Sequence, residues 1–279
     1  MAIRYENAKP LVGAIVHADR SQFADAHFAQ ECLELLEDRT VLVFPKIGLT
    51  DDEQIAFSDL LGVRSDYGAK MPDKDGEISE IYKVTLDPDV KMDTQYVYAT
   101  WFWHMDGVTA VQEPPAATLL SARNVAGDGG QTEFASTIAA YEALPNSEKA
   151  KLDELRAVHS VYAGVRPMLD YSVRPEDWNG SYSKMQHPLV WTHESGRKSL
   201  VLGVQVEEIV GIGLIEARAL ILRLMEWATQ PDFKYRHNWQ EGDLVVWKNL
   251  SALHRVVPYD VESGRLMHRT SLASMKVAA

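Results

Sequence analysis

The chain has 279 residues, 46% of them hydrophobic, enough to bury a substantial core, and its 28 basic residues against 40 acidic ones give a formal charge of -12. That field repels nucleic acid and anionic membrane surfaces, and the single cysteine, Cys32, excludes an intrachain disulfide, a CxxC redox pair and a cysteine-rich zinc site. The start Met1-Ala-Ile-Arg-Tyr-Glu-Asn lacks the order of a signal peptide and no apolar run reaches the roughly 20 residues that span a bilayer, so a cytoplasmic protein is expected. From Ser21 to Asp38 the residues Phe28, Cys32, Leu35 and Leu36 fall on one helical stripe, followed by a β-branched and aliphatic run from Thr40 to Phe44. Thr50 with Glu53 three residues on is a capping-box pattern for a second helix that stops near Gly62, so helices are expected to dominate the first sixty residues.

Two short helices, Ser136 to Leu144 and Asn146 to Leu155, are predicted on either side of Pro145, and Leu214 to Thr229 carries the longest helical pattern. Strands are predicted at Tyr96 to His104, Ala117 to Ala122, Ala157 to Tyr162, Leu189 to Thr192, Ser199 to Leu202, Leu244 to Trp247, His254 to Val257 and Arg265 to Ser274. The turn residues Asp260-Val-Glu-Ser-Gly264 join the last two into an expected hairpin. Many short strands with a few helical insertions indicate a mainly β fold, a double-sheet jelly roll in one domain over residues 1–279. Ser65 to Gln95 and Ala163 to Gln186 resist assignment and are candidate lids or binding loops.

The chemistry concentrates in a few residues. On a strand, His104 and Asp106 project to one face, so both side chains can reach one ion; His254 opens another predicted strand. Two imidazoles and a carboxylate form the facial triad of a non-haem Fe(II) oxygenase, which leaves adjacent coordination positions for a chelating acid and O2. A second His-x-Asp, His17-Ala18-Asp19, leads into the first helix, where Asp19 or Ser21 can cap. Taken singly, His104 also reads as a hydrogen-bonded core histidine between aromatic neighbours. Arg265 and Arg269 are four apart on a predicted strand, and a buried guanidinium is costly unless it meets an anion, which it grips through two parallel hydrogen bonds. Thr132, after the turn Gly127-Asp-Gly-Gly130, can add a hydroxyl to the same carboxylate. Tyr96, Tyr98, Trp101, Phe102 and Trp103 offer an apolar lining, with Trp101, Tyr98 and Trp103 the candidates for substrate contact.

Read together, these residues resemble the taurine and 2,4-dichlorophenoxyacetate dioxygenase family of Fe(II)/2-oxoglutarate-dependent oxygenases. That family's pattern is a His-x-Asp, a later Thr or Ser, a distant His and an Arg shortly beyond it. Here Trp103-His104-Met105-Asp106 is followed by Thr132, and His254 by Arg265, along with Gly129-Gly130-Gln131-Thr132-Glu133-Phe134, Gly242-Asp243-Leu244 and Met267-His268-Arg269-Thr270. The resemblance implies a double-stranded β-helix in which His104, Asp106 and His254 bind Fe(II). It also implies that Thr132 and Arg265 hold the far carboxylate of 2-oxoglutarate and that Arg269 contacts either that co-substrate or an acidic group of the substrate. The implied reaction consumes O2, releases succinate and CO2 and oxidises an unactivated carbon of a small aromatic, terpenoid or organic-acid substrate, with hydroxylation favoured over desaturation or oxidative cleavage. A dimer or tetramer is implied as well. The sequence departs from the taurine-specific members in the run Tyr98-Ala-Thr-Trp-Phe-Trp103, which lacks their asparagine, and it carries Lys248 where an acidic residue often precedes Asn249. Two other classes use similar parts: a jelly-roll binding module with a structural metal, which has no need of an Arg/Thr anion clamp, and a zinc hydrolase, for which the chain offers no HExxH helix.

Overall fold

The structure, a computed structural model, describes residues 3–65, 79–90, 95–110, 113–169 and 183–275. In chain order its strands are β1 (Tyr5–Asn7), β2 (Ala14–Val16), β3 (Val41–Phe44), β4 (Gly62–Arg64), β5 (Tyr82–Val84), β6 (Ala117–Asn124), β7 (Thr132–Ser136) and β8 (Arg156–Ser160), then β9 (Lys184–Pro188), β10 (Val190–Thr192), β11 (Lys198–Leu200), β12 (Val206–Ile209), β13 (Lys234–His237), β14 (Leu244–Lys248), β15 (Ala252–Val256) and β16 (Leu266–Met275). The helices are α1 (Ala26–Arg39), α2 (Asp51–Leu61), α3 (Gln95–Ala99), α4 (Thr137–Glu142), α5 (Asn146–Leu152), α6 (Val161–Val165) and α7 (Leu214–Ala228).

A large sheet in the order β1-β2-β3-β14-β6-β16-β4, with β5 also on β16, faces a small sheet in the order β13-β7-β15. The central strands of the large sheet are buried on both faces, so they read as continuous apolar runs although their pairing is antiparallel. Alternation still sorts their side chains. Val41, Val43, Leu120, Ala122, Val245, Trp247 and Met267 turn inward to meet Phe134 and Ala252 of the small sheet. Leu42, Phe44, Ala117, Leu119, Leu244, Val246 and Leu272 turn outward under α1 and α2, whose Phe28, Cys32, Leu36, Phe57 and Leu61 cover them. Edge-to-face contacts of Phe23 with Phe57 at 4.7 Å and with Phe44 at 5.2 Å fill the join. Outside the small sheet, Ala135 and Leu253 pack with α4, α7 and the strands β8 to β12. This is the expected jelly roll with helical insertions.

The capping box forms as predicted: the Glu53 N–H donates to Thr50 Oγ1 at 3.3 Å, the Thr50 N–H donates to Glu53 Oε2 at 2.7 Å, and α2 ends at Gly62. Helices dominate the first sixty residues as expected, and the short β1 and β2 there extend the large sheet. The helix expected over Ser21 to Asp38 is a 3-10 turn, Arg20–Ala24, followed by α1, whose cap is the Asp25 carboxylate accepting from the His27 N–H. Arg265 to Ser274 does not form a hairpin with His254 to Val257. Asp260 caps a local turn and Gly264 takes a left-handed φ of 67°, but β15 pairs with β7 and β16 with β6, so the connection crosses from one sheet to the other. The segment expected as a strand from Tyr96 to His104 is α3 and a following turn. There the Thr100 and Trp101 N–H groups donate to Val97 and Tyr98 carbonyls at 3.1 and 3.0 Å, and only His104 makes a β-bridge. Its aromatic and β-branched residues have strand propensity, but the packing of Val97 and Trp101 against Leu86, Val256 and Tyr259 decides its conformation. Most of the two unassigned loop regions lies outside the described residues.

A candidate metal centre between the sheets

His104 is brought to its place by pairing on both edges of its own short extended segment. On one edge the His104 and His254 backbones exchange N–H···O bonds of 3.0 Å each. On the other, the Val204 N–H donates to Trp103 O at 2.8 Å and Gln205 Nε2 donates to Met105 O at 2.9 Å. Gly203 makes this approach possible: a Cβ there would lie 3.2 Å from His104 Cα, and its φ of 143° favours glycine. Directly opposed on an antiparallel bridge, the two imidazoles share one face with ring centroids 4.2 Å apart. Their flanking residues Trp103 and Arg255 are therefore opposed on the other face, where the guanidinium lies 4.8 Å from the Trp103 ring and binds Glu133 through Nε at 2.8 Å.

Asp106 Oδ1 lies 3.9 Å from His104 Nε2 and 3.7 Å from His254 Nε2, and the three groups, all buried, are a set able to hold one metal ion. Both separations are below twice a ligand bond of about 2.1 Å, so one ion can touch all three atoms. The donor chemistry fits too. His104 Nδ1 donates to Phe102 O at 2.8 Å, and His254 Nδ1 faces Ala252 O at 3.4 Å; carbonyls only accept, so the lone pair sits on Nε2 in both rings. Burial holds both imidazoles below their usual pKa, His254 at about 3, so they are neutral ligands at physiological pH. For Asp106, burial pushes the carboxyl upward, but His254, Arg269 and His104 outweigh it and hold it below the usual range. Its second oxygen accepts from Thr118 Oγ1 at 3.1 Å, and Asn249 Nδ2 in turn donates to Thr118 Oγ1 at 2.9 Å. Thr118 and Asn249 were not singled out for this role in the sequence, although Asn249 stood in a motif.

Arg269 comes from the inner face of β16, with one guanidinium nitrogen 3.9 Å from Asp106 Oδ1 and its centre 4.4 Å from the Tyr82 ring. Arg265 is only 3% exposed, stacks 4.9 Å over Tyr259, and has no carboxylate within 4.0 Å among the described residues. Burial depresses its pKa, which marks a cation lacking a counter-charge. Gly130 runs beside it, a Cβ there lying 3.2 Å from Arg265 Cδ and Nε, and Thr132 follows two residues later as a buried hydroxyl. Of the aromatic candidates, Trp103 stacks on Arg255 and packs toward the outer core, whereas Tyr98 and Trp101 meet edge to face at 5.1 Å in the cluster with Tyr259. Lys248 is accounted for: its buried ammonium forms an ion pair with Glu37 of α1.

The model of the family described as "Taurine catabolism dioxygenase TauD, TfdA family" matches residues 4–271. The chain belongs to this family. It is 37% identical over 254 residues, 87% of each chain, to the alpha-ketoglutarate-dependent 2,4-dichlorophenoxyacetate dioxygenase of Cupriavidus pinatubonensis. It is 33% identical over 244 residues, 84% of this chain and 82% of the relative, to the (S)-phenoxypropionate/alpha-ketoglutarate-dioxygenase of Sphingobium herbicidovorans. The crystal structure of AAD-2 in complex with Mn(II) and N-oxalylglycine superposes with a TM-score of 0.82 at 29% identity, covering 99% of both chains. N-oxalylglycine is 2-oxoglutarate with an NH in place of one methylene. As a TauD/TfdA-type enzyme the chain is an Fe(II)- and 2-oxoglutarate-dependent dioxygenase, and the His-Asp-His set supplies a donor group suited to that metal. No helix among the described residues is long and apolar enough to cross a membrane.

Proposed function

We propose that the protein hydroxylates a carbon of an aromatic carboxylic acid, with His104, Asp106 and His254 holding Fe(II), Thr132 and Arg265 holding the far carboxylate of 2-oxoglutarate, and Arg269 receiving the acidic group of the substrate. The observation that carries the reading is a pair of arginines with different neighbours. Arg265 is buried beside Gly130 with no carboxylate partner among the described residues, which suits the far end of a metal-chelating keto acid; Arg269 lies against Asp106 and Tyr82, which suits a second anion near the metal. The relatives named for 2,4-dichlorophenoxyacetate and phenoxypropionate act on compounds that join an aryl ring to a carboxylate, and Tyr82 supplies aromatic surface beside Arg269. The metal, when bound, supplies O2 activation coupled to decarboxylation of the keto acid.

The chain's residues bind, orient and exclude water. The neutral imidazoles and ionised Asp106 would together hold Fe(II) through three lone pairs, and the bound metal would supply the remaining positions for reactants. Thr118 and Asn249 fix the carboxylate rotamer, and the shared His104/His254 bridge fixes the imidazole spacing.

An anaerobic titration of metal-free protein with Fe(II) and then 2-oxoglutarate tests the assignment through the visible charge-transfer band. One equivalent of each should develop it, and the His104→Ala protein should not. Succinate release is then compared for aryloxyalkanoic acids, taurine and alkyl sulfate esters. Turnover of the aryl acids, lost in Arg269→Ala with 2-oxoglutarate affinity retained, supports the substrate class; preferential turnover of taurine or a sulfate ester would replace it.

A further inference from the structure

The buried hydroxyl of Thr132 has a partner that settles which way its hydrogen points. Trp239 Nε1 donates to Thr132 Oγ1 at 2.8 Å. An indole N–H can only donate, so Thr132 must accept, and its own hydrogen has to be given to something else. Thr132 Oγ1 donates to no described residue, although the side chain is only 4% exposed. Arg265, which lies against Gly130 two residues before Thr132, likewise has no carboxylate partner among the described residues. Trp239 is itself held firmly. His237 Nε2 donates to Asp243 Oδ2 at 2.9 Å and the Gln240 N–H donates to the same oxygen at 2.8 Å, so one carboxylate clamps the chain on both sides of Trp239. Asp243 Oδ1 accepts from the Lys46 N–H at 2.9 Å, and the His237 ring lies edge-on to the indole at 4.6 Å.

We infer that Trp239 is a positioning residue for the co-substrate: by occupying the Thr132 oxygen with a donor-only group, it commits the Thr132 hydrogen to an acceptor and so selects an ionised carboxylate at the far end of 2-oxoglutarate. A carboxylate has only acceptors to offer, whereas the corresponding amide brings donors that a freely rotating hydroxyl could also satisfy. The inference rests on Thr132 being a co-substrate contact, so the test must separate the two.

Fe(II)-loaded protein is titrated anaerobically with 2-oxoglutarate and with its far-end amide, alongside Thr132→Val, Trp239→Phe and the double variant, with Fe(II) affinity measured for each. Thr132→Val should weaken 2-oxoglutarate by roughly tenfold, and Trp239→Phe by roughly threefold to tenfold, with Fe(II) affinity unchanged in both. The double variant should match Thr132→Val alone, and Trp239→Phe should bring the affinities for acid and amide closer together, an effect that loss of packing alone does not produce. Additive losses, or an unchanged Kd in Trp239→Phe, would overturn the inference while leaving Thr132 in place; an unchanged Kd in Thr132→Val would overturn both. If Trp239→Phe does not fold, the indole N–H resonances decide. One should shift upfield in Thr132→Val and keep its place in Thr132→Ser, and indole resonances indifferent to both changes would overturn the proposal.

Discussion

Two groups of buried polar side chains, one beneath α2 and one between the sheets, differ in one respect. Beneath α2, Gln54, Ser58, Ser121 and Thr270 form a closed network: Ser121 Oγ donates to Gln54 Oε1 at 2.6 Å, Gln54 Nε2 donates to His268 O at 3.1 Å, and Ser58 Oγ pairs with Thr270 Oγ1 at 2.8 Å while Ser58 also donates to Gln54 O at 2.7 Å. Between the sheets, the Nε2 lone pairs of His104 and His254, the guanidinium of Arg265, which has no carboxylate partner, and the hydrogen of Thr132 are buried without that closure among the described residues. Both groups cost desolvation, but only the first recovers it within the chain. The closed network belongs to the fold, and the groups left open between the sheets are placed where a metal and an acid recover the cost.

Exchanging members between the two groups gives the sharpest breaks. His104→Ala or Asp106→Ala removes a proposed metal ligand. Loss of an outer partner of such ligands already costs about 10–100-fold, so turnover should fall by more than that while far-UV circular dichroism stays unchanged. Full activity in either variant would refute the ligand assignment. Arg265→Ala should weaken 2-oxoglutarate by about 30-fold or more, because a fully buried charge-assisted pair is lost, with protein stability kept or raised since an uncompensated cation is gone. A fall in stability at unchanged 2-oxoglutarate Kd would move Arg265 to the closed group. The converse variant, Gln54→Leu, strands Ser121 and the His268 carbonyl and should cost about 2–3 kcal/mol in urea unfolding, with 2-oxoglutarate affinity intact.

The open group was more legible in the sequence than the closed one. His104, Asp106, His254, Thr132 and Arg265 belong to residue types whose burial demands a ligand, and they stand in short motifs that keep their order along the chain. Their supports are ordinary residues meeting across long separations: Asn249 reaches Thr118 over 131 positions and Trp239 reaches Thr132 over 107. No local pattern marks such pairs. The same limit explains the elements. The box Thr50–Glu53 is contained in four residues and was read correctly. The turn Asp260–Gly264 was also read correctly as a turn, but which sheet receives the next strand depends on the partners of β6 and β7, far away in the chain. Around Tyr96 to Ala99 strand propensity was overruled by packing, and the expected alternation of aromatic faces went with it.

His159 tests the comparison outside the candidate site. It is fully buried on β8, both ring nitrogens lack a hydrogen-bond partner among the described residues, and the His187 ring lies 5.5 Å away. It is thus an incompletely bonded group with no assigned ligand, and its cost should show in the pH dependence of stability. Burial first, and His187 second, lower its pKa from 6.5 to about 3. The folded state therefore holds the ring neutral where the unfolded chain binds a proton. Stability is fully present above pH 6.5, falls as pH drops through the window from 6.5 to about 3, and falls there by up to about 1.4 kcal/mol per pH unit for this one site. His159→Leu removes the titration and an unsatisfied donor together, so stability at pH 7.5 should be unchanged or higher, and the slope of unfolding free energy against pH between 6 and 4 should flatten by about one proton. A steeper slope, or a loss of stability at pH 7.5, would mean that the imidazole is bonded in solution and belongs with the closed group after all.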